Sequence, residues 1–159
     1  MILTLTESAI RLNELAQIKV ENIDWKEGTV LVLGKGNKER RAPLARTTLR
    51  SIFRYYKTRR GDAPNLWLSE EGKPLTRSGC QQVVRRISKK ALGKVYGPHK
   101  FRHTAACYQL ERGMSAEDLM KFLGHASIKQ ALEYAEYVRA RHALSEARKY
   151  SMVEREGLR

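Results

Sequence analysis

A short β-branched segment sets the strongest limit on the fold of this 159-residue chain. Residues 29–33 read T-V-L-V-L, a pattern typical of a strand. The segment G-K-G-N-K-E-R-R-A-P-L follows, with Gly34 and Gly36 as turn residues and a second strand that ends at Pro43. The pattern therefore predicts a single β-hairpin with Lys35 at its tip.

Most of the remaining chain has apolar residues at helical spacing. Helices are predicted over residues 5–17, 46–58, 78–92, 98–112, 115–123, 127–137 and 139–156. Ser78 with Gln81, and Ser127 with Gln130, have the spacing of capping boxes. A chain of this length suits one domain. We therefore expect an α+β, mainly α fold over residues 1–159, with one small antiparallel sheet.

The chain is strongly basic and its basic residues are clustered. Lys and Arg number 31 against 17 Asp and Glu, a net charge of +14. Residues 40–60 and 72–110 contain no acidic residue at all. An ordinary solvated surface mixes both signs of charge, so these two stretches favour a phosphate-contacting surface. The balance disfavours a small-metabolite enzyme and leaves nucleic acid or an anionic membrane surface as the partner.

Other classes of protein are disfavoured by simple patterns. No apolar run approaches the roughly 18 residues that a membrane span needs, and Glu7, Arg11 and Glu14 rule out a signal peptide in the first 15 residues. Cys80 and Cys107 lack C-x-x-C spacing, so a reduced, intracellular protein with buried thiols is expected.

Several polar residues are candidates for chemistry, although each also has an ordinary structural explanation. Arg11 lies in an apolar helical segment and needs a partner or a ligand there. His99 and Arg102 share a face at the start of a predicted helix, where an anion is favoured, but a cap and a surface charge would explain them too. Lys35 suits a solvated turn, and His125 suits a helix C-terminus.

The order of these segments is more specific than any one of them. The chain contains A-I-R-L-N-E-L, then G-K-G-N-K-E-R-R-A-P-L, H-K-F-R-H-T-A-A, L-G-H-A-S-I and Tyr134, nine residues after His125. This succession, from about Ser8 to about Tyr137, resembles the catalytic domain of the tyrosine recombinases, the phage-integrase family that includes the Xer-type recombinases.

The resemblance implies a role for each matching residue. Tyr134 is the expected nucleophile, with Tyr137 as a rival hydroxyl that misses the family's spacing, and Glu14 is the buried acid that supports Arg11. The implied catalytic residues are Arg11, Lys35, His99, Arg102, His125 and Tyr134. From the two basic stretches, the expected DNA-contacting residues are Arg40, Arg41, Arg77, Arg85, Arg86, Lys89 and Lys100.

The resemblance also implies the chemistry. Arg11 and Arg102 would bind the phosphate oxygens, the cationic pocket would favour the phenolate of Tyr134, and Lys35 would protonate the leaving oxygen. The implied reaction cleaves and rejoins DNA through a 3′-phosphotyrosine without a metal or cofactor. A type IB topoisomerase-like activity and a non-enzymatic DNA-binding fragment remain alternatives.

The implied partner is double-stranded DNA, with self-association as a tetramer only on paired DNA sites, no membrane and a cytoplasmic, nucleoid-associated location. The last predicted helix carries a stripe of Ala143, Leu144 and Ala147, which would pack either on its own domain or on a neighbouring protomer as an exchange element.

Two departures from the family pattern are visible. The family usually has T-G where this chain has Ser8 and Ala9, and we expect little effect because alanine is the better helix former. Members also carry an additional helix or two and an N-terminal core-binding domain before the first motif. We therefore expect residues 1–159 to be a catalytic domain without those parts.

Overall fold

The computed structural model describes residues 1–34, 36, 38–125 and 127–150. The helices are α1 (Ile2–Ser8), α2 (Leu12–Gln17), α3 (Arg46–Thr58), α4 (Arg77–Leu92), α5 (Pro98–Glu111), α6 (Ala116–Leu123) and α7 (Lys129–Lys149). The strands are β1 (Ile23–Asp24), β2 (Thr29–Leu33) and β3 (Glu39–Pro43). The mainly helical fold with one small sheet agrees with the predicted fold class.

The predicted hairpin is confirmed, and the sheet has one strand more than the sequence indicates. The strand order is β1-β2-β3, with both pairs antiparallel. The two-residue strand β1 is too short to give a hydrophobic pattern. In the register of β2 and β3, Val30 lies opposite Ala42 and Val32 lies opposite Arg40. Directly opposed residues share a face of the sheet, so Arg40 lies on the buried face and Arg41 on the other.

The prediction of one helix over residues 5–17 is wrong, because the helix is interrupted near its middle. Ala9 has φ of 48° and ends α1 in the left-handed conformation, and Arg11 is extended as the N-cap of α2. Ala9 is the only described residue other than glycine with positive φ. The expectation that alanine suits this position as a helix former is therefore also wrong, since glycine adopts this conformation more easily.

The two helices predicted over residues 127–137 and 139–156 are one helix as far as the structure describes it. No break occurs near Val138, and α7 runs from Lys129 to Lys149. The predicted end, at residue 156, lies outside the described residues. Val138 and Arg139 are neither glycine nor proline, so the sequence has no helix-breaking residue at the predicted boundary.

The predicted caps are correct only in part. The α4 cap is Thr76, whose hydroxyl accepts from the Gly79 backbone N–H at 3.1 Å, so the Ser78 capping box is wrong. Ile128 is the N-cap of α7, which excludes Ser127 from that position as well. Pro98 does occupy the first turn of α5, as expected.

Two clusters of buried apolar residues meet at the α1–α2 break. One cluster joins α1, α2, the sheet, α3 and α4 and includes Ile10; the other joins α5, α6 and α7 and includes Ala9. The backbone between Ala9 and Arg11 therefore runs along the seam between the clusters. Within the described residues, no helix is both long and apolar enough to cross a membrane.

Candidate active site

A cleft of about 680 Å³ brings the predicted site residues together. Its walls come from the start of α2, from α4, α5 and α7, and from the turn after α6. Five of the six predicted catalytic residues line it: Arg11, His99, Arg102, His125 and Tyr134. The sixth, Lys35, lies outside the described residues.

Arg102 is the most firmly held side chain of the cleft. It is 5% exposed, and its guanidinium donates to the Ala9 carbonyl, to the Leu123 carbonyl at 2.9 Å and to Nε2 of His125 at 2.9 Å. Burial lowers the pKa of the Arg102 guanidinium to about 10, so the group stays protonated at neutral pH. The α1–α2 break and the turn after α6 thus fix one buried cation.

Arg11 is placed by the cap of α2. Its backbone N–H donates to Oε2 of Glu14 at 2.8 Å, and its Nη1 donates to Oε1 of the same carboxylate at 3.0 Å. The Nη2 atom donates to the Gly124 carbonyl at 3.1 Å. The Arg11 side chain is 36% exposed, whereas that of Glu14 is 2% exposed. A buried carboxylate therefore orients an arginine whose outer side remains open to a ligand.

Cationic charge exceeds anionic charge around the cleft. Arg11, Arg77, Arg102 and Glu133 line it, and the Glu14–Arg40 ion pair lies behind Arg11. With neutral histidines, these described residues carry a net charge of +2. Buried or half-buried guanidinium groups without matching carboxylates are stabilised by an anion.

His125 is held as a neutral ring. Because arginine only donates, Nε2 of His125 must accept from Arg102, which places the proton on Nδ1. The Nδ1 atom is buried and has no hydrogen-bond partner among the described residues. Burial, followed by the charges of Arg102, Arg11 and Arg40, lowers the pKa of His125 to about 4. The imidazole is therefore neutral at physiological pH.

Tyr134 is half-buried on α7 and faces a histidine that the sequence analysis did not select. The ring centroids of Tyr134 and His103 lie 5.2 Å apart, and those of Tyr137 and His103 lie 5.3 Å apart, both in edge-to-face geometry. His103 also contacts Sγ of Cys107 through Nδ1 at 3.5 Å. The missed signal is the spacing of four residues from His99, which puts both histidines on one face of α5.

The pKa of Tyr134 shifts in the direction opposite to the one expected. Burial raises it, and the favourable charge of Arg102 only partly offsets this effect. The expectation of a lowered pKa is therefore wrong for the protein without DNA. The phenol is protonated at neutral pH and must lose its proton during any nucleophilic step.

Six of the seven residues expected to contact DNA have exposed side chains. These are Arg41, Arg77, Arg85, Arg86, Lys89 and Lys100. Arg40 differs from all of them, because its side chain is 14% exposed and pairs with Glu14. Among the residues that the structure describes, no group of three or more His, Cys, Asp and Glu side chains is arranged to hold a metal ion.

Comparison with known proteins places this chain in a defined class. The sequence profile described as "Phage integrase family" matches residues 1–141. The solved structure of XerA recombinase superposes with a TM-score of 0.77 at 25% identity, over 90% of this chain and 54% of that one. A XerH site-specific recombinase bound to its difH substrate, in a pre-cleavage complex, superposes with a TM-score of 0.71 at 25% identity, over 84% of this chain and 41% of that one. The fold is thus that of the tyrosine recombinase catalytic domain.

The chain belongs to the phage integrase family, and the names of its sequence relatives are consistent with this assignment. It is 30% identical to the tyrosine recombinase XerA of Pyrococcus horikoshii over 158 residues, which are 97% of this chain and 55% of the relative. It is 33% identical to the tyrosine recombinase XerD of Staphylococcus epidermidis over 141 residues, 84% of this chain and 48% of the relative. The chain therefore spans about half the length of the curated relatives it matches.

Proposed function

We propose that this chain is the catalytic part of a site-specific DNA recombinase that cleaves and rejoins DNA strands through Tyr134. One observation carries the proposal: Arg11, Arg102 and Tyr134 line the same cleft, which has a net positive charge. Two guanidinium groups beside a hydroxyl suit phosphoryl transfer, because such catalysis depends on positioning and on stabilising charge at the phosphate oxygens. The recombinase names of the relatives support the same reading.

The proposed reaction balances without an external energy source. Oη of Tyr134 attacks the scissile phosphorus and passes its proton to solvent water, and the bond from phosphorus to the 5′ oxygen breaks. The 5′ oxygen takes up a proton, which we assign to Lys35 on the β2–β3 hairpin. The product is a 3′-phosphotyrosine and a free 5′ hydroxyl. A 5′ hydroxyl of a partner strand then attacks this ester and regenerates Tyr134, so one phosphodiester replaces another.

The two arginines and His125 have complementary tasks. Arg11 and Arg102 donate to the two non-bridging oxygens, whose negative charge grows in the transition state. When a phosphate oxygen accepts the hydrogen bond from Nη2 of Arg102, Nε2 of His125 loses its hydrogen bond to that atom. The imidazole then donates from Nε2 in its other tautomer and adds a third donor to the phosphate. His99, exposed in the first turn of α5, is the fourth donor that we assign.

The exposed basic residues bind the backbone of duplex DNA. These Lys and Arg side chains lie on α4, α5 and the sheet. They contact phosphates rather than base edges. Affinity is therefore steep in salt, with a slope of about −0.9 in log K against log salt for each neutralised phosphate. An affinity that stays flat between low and moderate salt would contradict this assignment.

Assembly on DNA uses the second half of α7. Its first half buries Ala131 and Ala135, but Leu144 beyond them is 68% exposed. An ion pair between Arg141 and Glu111 is the contact that ties this second half to α5. We assign the exposed half to a neighbouring protomer, in a tetramer that forms on paired DNA sites.

A nicked suicide substrate tests the function directly. Cleavage next to the nick releases a short oligonucleotide, so the covalent intermediate accumulates and migrates as a protein–DNA adduct in a denaturing gel. We expect an adduct with the wild-type chain, none with Tyr134→Phe, and an adduct with Tyr137→Phe as the matched control. Binding of DNA without an adduct would favour a DNA-binding module. Adduct formation and supercoil relaxation without exchange between two sites would favour a topoisomerase-like activity.

A further inference from the structure

Arg40 makes contacts that none of the other basic residues expected on the DNA-facing surface makes. Its Nη2 donates to Oε2 of Glu14 at 2.8 Å, and the other oxygen of that carboxylate accepts from Arg11. One buried carboxylate thus bridges an arginine of the catalytic cleft and an arginine of strand β3. The register of the sheet explains this position, because Arg40 shares the buried face with Val30, Val32 and Ala42.

The same side chain lies under the turn that carries His125. A Cβ atom on Gly124 would collide with Nε and Cδ of Arg40, so the glycine lets the turn rest directly on the guanidinium. Gly124 has φ of 64°, and its carbonyl accepts from Arg11. The Gly124 turn is therefore held from two sides, by Arg11 through a hydrogen bond and by Arg40 through close packing.

The buried setting makes Arg40 unlike a surface cation. Its Nε and Nη1 atoms are buried and have no hydrogen-bond partner among the described residues. Leaving buried donors unpaired is unfavourable, so this position is retained at an energetic cost. A hydrophobic residue of similar size would fill the space but would leave Glu14 paired with Arg11 alone.

We propose that Arg40 is a positioning residue of the active site. It fixes Glu14, which orients Arg11, and it supports the Gly124 turn, which presents His125. Through β3 it also joins the β2–β3 hairpin to the same carboxylate. Arg40 acts through these groups and does not touch DNA. The inference deepens the proposed recombinase function and rests on it.

The first test compares two partly buried arginines. Arg59→Met is the matched control, because the Arg59 guanidinium is also partly buried and hydrogen-bonded, but it donates to the carbonyls of Ala63 and Leu66 rather than to Glu14. The rate of adduct formation is measured in a single turnover at saturating nicked DNA. We expect about a 10²-fold loss in Arg40→Met, the size expected when a catalytic group is displaced by about 1 Å, and less than about 3-fold in Arg59→Met. Equal losses in both variants would overturn the proposal.

The second test identifies the route through Arg11. A methylphosphonate at the scissile linkage removes the charge of one non-bridging oxygen and with it part of the need for a guanidinium partner. If Arg40 acts by orienting Arg11, the losses in Arg40→Met and Arg11→Lys shrink in parallel on this substrate. If Arg40→Met loses the same factor in cleavage rate on both substrates, Arg40 is a purely structural residue and the proposal is overturned. Arg40→Lys, which keeps the charge near Glu14, should recover part of the wild-type rate; no recovery would also count against the proposal.

A third measurement separates failure of this inference from failure of the proposed function. Amide shifts in a ¹H–¹⁵N spectrum need no catalysis. We expect Arg40→Met to move the signals of Gly124, His125 and Arg11, and Arg59→Met to leave them in place. Unmoved signals overturn the positioning role even if the wild-type chain forms the adduct. A wild-type chain without an adduct, but with moved signals, overturns the recombinase function and leaves the structural link intact.

Discussion

The two walls of the cleft are built differently. On one wall, Arg102 has three hydrogen-bond partners from two segments, and Arg11 is fixed by Glu14 and Gly124. On the other wall, Tyr134 is carried by α7, whose buried residues are two alanines. The wall with the two arginines is held by directional bonds to backbone and carboxylate oxygens, whereas the wall with Tyr134 is held by apolar and edge-to-face aromatic contacts and a surface ion pair.

This difference suits a reaction that must wait for a partner. Donors fixed in advance stabilise the transition state without reorganisation. If the second half of α7 docks on a neighbouring protomer, as proposed, that docking would move Tyr134 into line and would give assembly control over cleavage.

Replacing either arginine by lysine should abolish most cleavage but should affect stability unequally. Lysine keeps the charge but cannot donate in parallel to two oxygens, so we expect at least a ~10²-fold loss of adduct formation in Arg11→Lys and in Arg102→Lys. Only Arg102→Lys also leaves buried carbonyls unpaired, which costs about 2–3 kcal/mol of unfolding free energy. Single-turnover cleavage and urea unfolding measure the two effects. Near-native cleavage by either variant would remove that arginine from the mechanism.

Deleting residues 139–159 should separate assembly from folding. The deletion removes the exposed half of α7 and the Arg141–Glu111 ion pair, and a surface pair of this kind contributes about 0–1 kcal/mol. We expect a cooperative melt with a melting temperature only a few degrees lower, unchanged first binding to DNA and lost assembly on paired sites in a gel-shift assay. Loss of the cooperative melt would mean that the second half of α7 is part of the domain's own core.

Acidification should weaken the fold through His125. The ring has a pKa of about 4 when folded and 6.5 as its ordinary value. Above pH 6.5 it is neutral in both states and has no effect; from pH 6.5 down to about 4 only the unfolded chain gains the proton, so stability falls. Melting temperatures between pH 7 and pH 4.5 should fall more steeply for the wild type than for His125→Gln. Parallel curves would contradict the neutral, Arg102-bonded ring.

The smallest effect concerns Ala9. Ala9→Gly relieves a left-handed conformation that costs roughly 1–2 kcal/mol for a residue with Cβ. It also removes a buried methyl group worth about 0.8 kcal/mol and adds freedom to the unfolded chain worth about 0.4–1 kcal/mol. These contributions nearly cancel, so urea unfolding should show a change below about 1 kcal/mol. A change above about 2 kcal/mol in either direction would contradict this balance.

Local patterns predicted the elements whose signals are local. The strand at Thr29–Leu33 and the helix at Arg46–Thr58 follow from β-branching and from helical periodicity, and the structure confirms both. The break at Ala9 could not be predicted in this way, because alanine favours a helix and the apolar pattern continues through it. The break is stabilised by Arg102, a residue distant in the sequence, whose guanidinium donates a hydrogen bond to the Ala9 carbonyl.

The order of the motifs along the chain predicted five residues that line one cleft and Glu14 as the buried support of Arg11, but it did not predict Arg40 as a second partner of Glu14. Arg40 looks like one more cation in an acid-free stretch, yet alternation along β3 already puts it on the face of Ala42. Its burial depends on the approach of Gly124, more than eighty residues away in the sequence. The raised pKa of Tyr134 is also a consequence of burial, which the composition of the pocket does not reveal.

The location of the covalent bond tests the central claim most directly. The adduct formed on a nicked substrate is digested with nuclease and trypsin, and fragment-ion mass spectrometry locates the phosphodiester remnant within the peptide that spans residues 130–139, which contains Tyr134 and Tyr137. We expect the remnant on Tyr134. A remnant on Tyr137, or on any residue outside this peptide, would contradict the proposal that the fixed arginines hold a phosphate against Tyr134.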